Sequence, residues 1–293
     1  MLTERLRIYR ERRRRGAREA RRIREAEGVL FSPGNSGRTW LRAMLSRALE
    51  LHFSLGPGPL IDFDNRHKED ARVPRILVTH NRWLRYYRRP RPGRECACYY
   101  QSRVLVLVRN PLDTAVSQYF QWRNRSKDAN IKLKGWPART SNMSLLDFML
   151  HRDTGVEQLC RELNTWHREA PRLRAAQLLR YEDMLVDTAT SLATALAFFG
   201  IAAGTGVVED AVAHASFENM RQRESTDGPL VPNSTKASCG GADSFKARRG
   251  GVGGYTEYLG QEDCARLEAL VADTLHPSFG YSALPAIAPT GWQ

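Results

Sequence analysis

A short apolar run, Val29-Leu30-Phe31, passes directly into Ser32-Pro33-Gly34-Asn35-Ser36-Gly37-Arg38-Thr39-Trp40, after which Leu41, Met44, Leu45 and Ala48 recur at i, i+3, i+4, i+7 spacing. The order is a buried strand, a tight glycine turn and a helix start, and it constrains the fold more than any other stretch. Gly34 and Gly37 let the backbone pass close to a bound group. The free amides of the first helical turn point at whatever sits in the loop. An anion, most often a phosphate, fits there.

The same strand-to-helix logic recurs downstream. Arg75-Ile76-Leu77-Val78-Thr79-His80 is short and apolar enough for a strand, and Val104-Leu105-Val106-Leu107-Val108 is continuously apolar, as interiors of parallel sheets are. Asn110 as cap and Pro111 at the first helical position open a helix bearing Leu112, Ala115, Val116 and Tyr119. Helices are expected over 145–151 and 156–170, a strand over Ala176–Arg180, and a helix over 187–199 ending at Gly200. Residues 124–144 are polar and read as an irregular lid or acceptor loop. Strands alternating with helices predict an α/β protein, a three-layer fold with a central parallel sheet flanked by helices. Ligands in such folds sit at the carboxyl ends of strands, where the first loop, His80, Arg109 and Tyr181 all emerge.

Composition narrows the classes. The 293 residues, 42% of them apolar, suffice for a sizeable core, and no apolar run approaches the ~18–20 residues of a membrane span. Five scattered cysteines, Cys96, Cys98, Cys160, Cys239 and Cys264, lack paired zinc spacing and read as free thiols of a reducing cytoplasm. Of the net charge of +13, about half lies in residues 1–28, which hold eleven Arg against five Glu. Residues 1–27 therefore read as a basic N-terminal segment without the apolar core of a secretory signal. It is either a solvated, frayed leader or a segment making weak contact with an anionic membrane surface or polyanion. The remaining basic residues form no recognisable nucleic-acid-reading motif, so no specific nucleic acid is expected as a partner.

The first loop nearly spells the nucleotide-binding pattern G-x-x-x-x-G-K-[ST], with Ser32 in place of the first Gly and Arg38 in place of Lys. Arg is not equivalent to that Lys, and no apolar strand ends in an obvious magnesium-binding Asp. A nucleotide enzyme working without metal tolerates both differences.

Five ordered segments complete the picture, and together they resemble the sulfotransferase family, which uses 3′-phosphoadenosine 5′-phosphosulfate (PAPS) as donor. Pro33 to Trp40 resembles the family's P-[KR]-S-G-x-T-W loop for the 5′-phosphosulfate, implying roles for Gly34, Asn35, Ser36, Gly37, Arg38, Thr39 and Trp40. Arg109 and Ser117 match the spacing of the pair that holds the 3′-phosphate. Leu179-Arg180-Tyr181-Glu182-Asp183 is similar to R-Y-E-D-L, whose Tyr touches the adenosine. Ser216-Phe217-Glu218-Asn219-Met220 is similar to S-F-x-x-M, whose Phe flanks adenine opposite the loop Trp, here Trp40. Arg248-Arg249-Gly250 begins a segment resembling the late R-K-G-x-x-G-D-W motif that closes on the 3′-phosphate. The resemblance runs from about 28 to 272 and implies a P-loop-type fold, with residues 28–293 a single sulfotransferase-like domain.

It further implies a sulfuryl transfer from PAPS to an acceptor hydroxyl, leaving 3′-phosphoadenosine 5′-phosphate (PAP), with no metal expected. Thr79-His80 resembles the segment whose His is the family's general base, a task suited to imidazole near neutral pH. The departures concern charge: Asn35 stands where the family carries Lys or Arg and donates a hydrogen bond without a charge, so either Arg38, three residues later, supplies the cation or Asn35 lowers activity. Gly254-Tyr255 replaces the usual Asp-Trp. The aromatic and cationic stretch Arg82, Trp83, Arg85, Tyr86, Tyr87, Arg88, Arg89 reads either as a wall for a glycan or anionic acceptor or as a solvated face. Residues 223–247 are expected to order when donor is present. The rival functions are a nucleotide-dependent kinase and a nonenzymatic anion-binding protein of this fold.

Overall fold

The computed structural model describes residues 2–88, 91–226 and 251–281. Helix α1 (Leu2–Glu25) precedes strand β1 (Gly28–Phe31), followed by α2 (Arg38–His52), β2 (Ile76–Thr79), a single turn α3 (Leu84–Tyr87), β3 (Arg103–Val108) and α4 (Pro111–Phe120). Three helices, α5 (Asp128–Lys134), α6 (Leu145–Leu150) and α7 (Val156–Glu169), lead to β4 (Ala175–Arg180). Then come α8 (Tyr181–Val186), α9 (Thr188–Phe198), α10 (Thr205–His214), α11 (Phe217–Thr226) and α12 (Gln261–Thr274).

All four strands run parallel, in the order β2-β1-β3-β4. The chain steps outward from β1 to β2 and then crosses back to β3 on the other side of β1. The crevice at the carboxyl ends of β1 and β3 is therefore the topological switch point, where open parallel sheets take ligands. Alternation along β3 supplies both sides of the sheet: Val104, Val106 and Val108 join Phe31, Leu163, Trp166 and Leu267 in one layer, while Leu105 and Leu107 join Leu41, Leu45, Leu192 and Leu196 in the other. Burial of both faces accounts for the unbroken apolar run that marks β3 in the sequence.

The helix over Pro111–Phe120 forms as its start signals dictate, with Asn110 Oδ1 accepting from the Leu112 amide at 2.9 Å and Pro111 in the first turn. Two segments differ from expectation. Residues 124–144 are not irregular throughout: α5 lies among them, with a wide turn at Gln121–Arg125 before it and a short 3-10 turn at Arg139–Ser141 after it. Trp122, Ile131, Tyr119 and Phe148 form a separate small core there, and Trp122 Nε1 donates to the Pro137 carbonyl at 2.8 Å. A few large aromatics anchor this polar stretch, too sparse for a period to show.

The second difference is α1, a 24-residue helix seated on the body rather than a solvated leader. Among its described residues, Ala20 and Ile23 are the buried apolar side chains. The rest of its inner face is arginine on aromatic: Arg12 over Tyr86 at 4.8 Å, Arg15 over Trp83 at 5.1 Å and Arg22 over Phe63 at 5.0 Å. Arg12 also donates to the Leu133 and Lys132 carbonyls, at 2.9 and 3.1 Å, capping the end of α5. Gly16 is pressed against the Trp83 carbonyl, where a Cβ would lie 2.5 Å from the oxygen.

Candidate active site

The loop after β1 turns through Asn35 at φ 70° and Gly37 at φ 85°. A Cβ on Gly37 would meet Tyr181 Cδ2 at 2.4 Å, so conformation and space both demand glycine there. Gln118 on α4 holds the turn from outside, its Nε2 donating to the Gly34 carbonyl at 3.0 Å. Gly37 caps α2 without a side chain to satisfy the amides of Arg38 and Thr39. Around them Ser32 Oγ, Asn35 Nδ2 and Ser36 Oγ are buried without a hydrogen-bond partner among the described residues. Unsatisfied donors converging on a helix start make an anion receptor.

At the end of β3, Arg109 extends one guanidinium nitrogen to the Gly251 carbonyl at 2.9 Å while its Cζ lies 4.6 Å over the Tyr181 ring. Its Nε is buried with no partner among the described residues. Asp113, on the first turn of α4, stands 3.8 Å from Arg109 and accepts the Gly253 and Tyr255 amides at 2.8 and 3.1 Å. The late segment 251–255 is thereby docked on the switch point. Arg248, Arg249 and Gly250 lie outside the described residues, immediately before Gly251. Ser117 is half-buried further along α4. Glu182 ties the strand ends together, accepting from the Asn110 amide at 2.9 Å and from the Tyr281 hydroxyl at 2.6 Å.

Trp40, on the first turn of α2, donates from Nε1 to the Ala215 carbonyl at 2.9 Å and meets Tyr181 edge-on at 5.9 Å. That bond brings the start of α11 to the site. Phe217, two residues on from Ala215, keeps 42% of its surface exposed.

His80 follows β2 directly. Its Nδ1 donates to the Ser32 carbonyl at 2.7 Å, and its Nε2 lies 2.6 Å from Arg38 Nη2. A carbonyl accepts only, so Nδ1 carries the proton and Nε2 presents the lone pair. Burial, reinforced by the cations Arg38 and Arg82, pushes the imidazole well below its ordinary range and keeps it neutral. Burial also brings Arg38 down to about 9. The peptide around His80 is braced by Thr79 Oγ1, which donates to Glu19 of α1 and accepts the Asn81 amide at 2.8 Å.

Thus the structure brings the loop, Trp40, His80, Arg109 and Tyr181 to one crevice. It adds Asp113, Gln118 and Glu182, which the sequence reading did not single out as site residues. Asp113 sits in the first turn after the Asn110-Pro111 helix start, and that position was the available signal.

A parallel sheet with an anion receptor at its switch point defines a P-loop-type α/β nucleotide-binding protein. The family model for the sulfotransferase domain matches residues 29–279, and the chain belongs to that family, enzymes that use PAPS. It is 25% identical to cytosolic sulfotransferase 15 of Arabidopsis thaliana over 280 residues, 86% of this chain and 72% of that protein. Cytosolic sulfotransferase 14 of the same plant is 26% identical over 190 residues, 59% of this chain and 48% of the relative. Among solved structures, mouse sulfotransferase SULT7A1 complexed with PAP superposes with a TM-score of 0.57 at 20% identity, over 85% of this chain and 84% of that one. Retinol dehydratase in complex with androsterone and PAP also gives 0.57, at 18% identity, over 88% and 82%. The unpartnered Ser32, Asn35, Ser36 and Arg109 atoms suit a donor carrying a phosphosulfate and a second phosphate.

Proposed function

We propose that the protein transfers a sulfuryl group from PAPS to an acceptor hydroxyl by in-line displacement, with His80 as general base. The observation that carries this reading is the tautomer of His80: its protonated Nδ1 is held by Ser32, and its basic Nε2 lies beside the anion loop against Arg38. PAPS, when bound, supplies the sulfuryl group and the phosphate oxygen that departs with the bond's electrons. The acceptor hydroxyl gives its proton to His80 Nε2 as its oxygen attacks.

The remaining roles are those the family resemblance implies. The amides and side chains of Gly34, Asn35, Ser36, Gly37, Arg38 and Thr39 hold the 5′-phosphosulfate. Arg38 supplies the cation that Asn35 lacks, standing against His80 where charge develops, and Asn35 Nδ2 donates a hydrogen bond. Arg109 and Ser117 receive the 3′-phosphate, with Arg248, Arg249 and Gly250 closing over it. Trp40 and Phe217 flank the adenine, and Tyr181 supports the adenosine. The acceptor is a small molecule or a glycan bearing a free hydroxyl, and residues 28–293 act as one domain. The cytosolic names of the curated relatives support placement in the cytoplasm.

Calorimetric titration without magnesium tests the donor site. PAP should bind tightly, AMP much more weakly, and Arg109→Ala should weaken PAP ~10-fold or more, the scale of a charge-assisted phosphate contact. Equal binding of PAP and AMP, or ATP binding that requires magnesium, would sink the reading in favour of the kinase.

A further inference from the structure

A cationic cluster beside His80 has no role in holding the donor as assigned above. Arg82 follows His80 by two residues and Lys134 ends α5, yet both converge on Trp136: Arg82 Cζ lies 5.3 Å and Lys134 Nζ 4.3 Å from the ring centroid. Both side chains are half-buried, and neither makes an ion pair within 4 Å among the described residues. Trp136 is held edge-on to Phe148 at 6.2 Å, against the small core of Tyr119, Trp122 and Ile131. The indole is therefore a fixed platform with two basic side chains set against it.

The acidic groups nearby, Glu162 and Glu19, compensate Arg82 only in part. Glu19 is taken up by Thr79 and the Trp83 amide. Burial pushes Glu162 up to about 7 despite Arg82 and Arg85, leaving it only partly ionised near neutrality. Burial, with Arg82 adding repulsion, brings Lys134 down to about 7. Both cations are near enough to His80 to depress it, as is Arg38. Cation–π contact offsets only part of the cost of burying such charges.

We propose that the acceptor carries a negatively charged group, such as a carboxylate, which Arg82 and Lys134 receive at Trp136 while the acceptor hydroxyl reaches His80. The anion replaces the mutual repulsion of the two cations with paired charge, and Trp136 covers the adjoining apolar part of the acceptor. This inference rests on the sulfotransferase reading for the placement of the hydroxyl. It also joins two segments whose roles the sequence leaves open, the stretch after His80 and residues 124–144.

The test uses three matched probe pairs: 4-hydroxyphenylacetate, 3-(4-hydroxyphenyl)propanoate and 16-hydroxyhexadecanoate, each with its methyl ester. Each is titrated calorimetrically into the full chain with PAP bound. At least one carboxylate should bind ~10-fold or more tightly than its ester, tenfold corresponding to ~1.4 kcal/mol. Arg82→Ala and Lys134→Ala should each shrink that ratio, and the double variant should bring it near one, with retained PAP binding showing that the variants are folded. No carboxylate binding more tightly than its ester, or a ratio surviving the double substitution, overturns the proposal. Failure of the donor reading is separate and shows as loss of the PAP-over-AMP preference before any acceptor is added.

Discussion

His80 is set by its burial and by neighbours of opposite effect. The Ser32 carbonyl stabilises the protonated ring slightly, whereas burial, Arg38, Arg82 and Lys134 oppose it and win. In the donor-free protein, a histidine NMR titration should place the His80 midpoint below 6.5, assigned by its absence in His80→Gln. Arg38→Ala removes the nearest cation and should move the midpoint up. A midpoint unmoved by that substitution would show that Arg38 does not face the ring. The contact also has a functional direction. An anion in the loop is a stronger acceptor for Arg38 than a neutral imidazole, so donor binding draws the guanidinium from Nε2 and frees the lone pair.

At the scale of elements, α1 is tied to the site through Glu19. The carboxylate accepts from Thr79 Oγ1 and, at 3.2 Å, from the Trp83 amide, the residues on either side of the His80 turn. Its burial is unfavourable for the charged form, which raises its pKa, yet its loss strands two buried donors. Glu19→Ala should therefore lower the melting temperature by a few degrees, corresponding to ~1–3 kcal/mol, while PAP binding persists. Thermal unfolding followed by circular dichroism checks this; an unchanged midpoint would mean that water replaces the carboxylate without cost. Strands β1 and β3 are legible in the sequence because both faces of each are covered, and α4 because its cap and proline are local signals. The α1 seat is not legible, because arginine packed on Tyr86 and Trp83 leaves a pattern indistinguishable from a solvated basic helix.

For the whole molecule, a net charge of +13 acts on a donor product carrying two phosphates. Steering should make PAP association fall ~10-fold or more between 50 and 500 mM salt, read by stopped-flow fluorescence. A salt-independent rate would place the effective charge away from the crevice. The order of motifs along the chain was enough to indicate the parallel sheet and the switch-point crevice, because each loop there follows its own strand. The Arg82–Lys134–Trp136 cluster was not readable, since its members are separated by some fifty residues and meet only through the packing of Trp122 and Phe148.

Distance along the chain also gives α1 a place in time. Glu19 finds Thr79 sixty residues later, and Arg12 finds the Leu133 carbonyl 121 residues later. At ~5–20 residues per second of synthesis, Arg12 waits ~6–24 s for the Leu133 carbonyl. A basic helix of this kind has little stability alone. All of these partners precede β4 (Ala175–Arg180), so the seat of α1 is made before the sheet is complete.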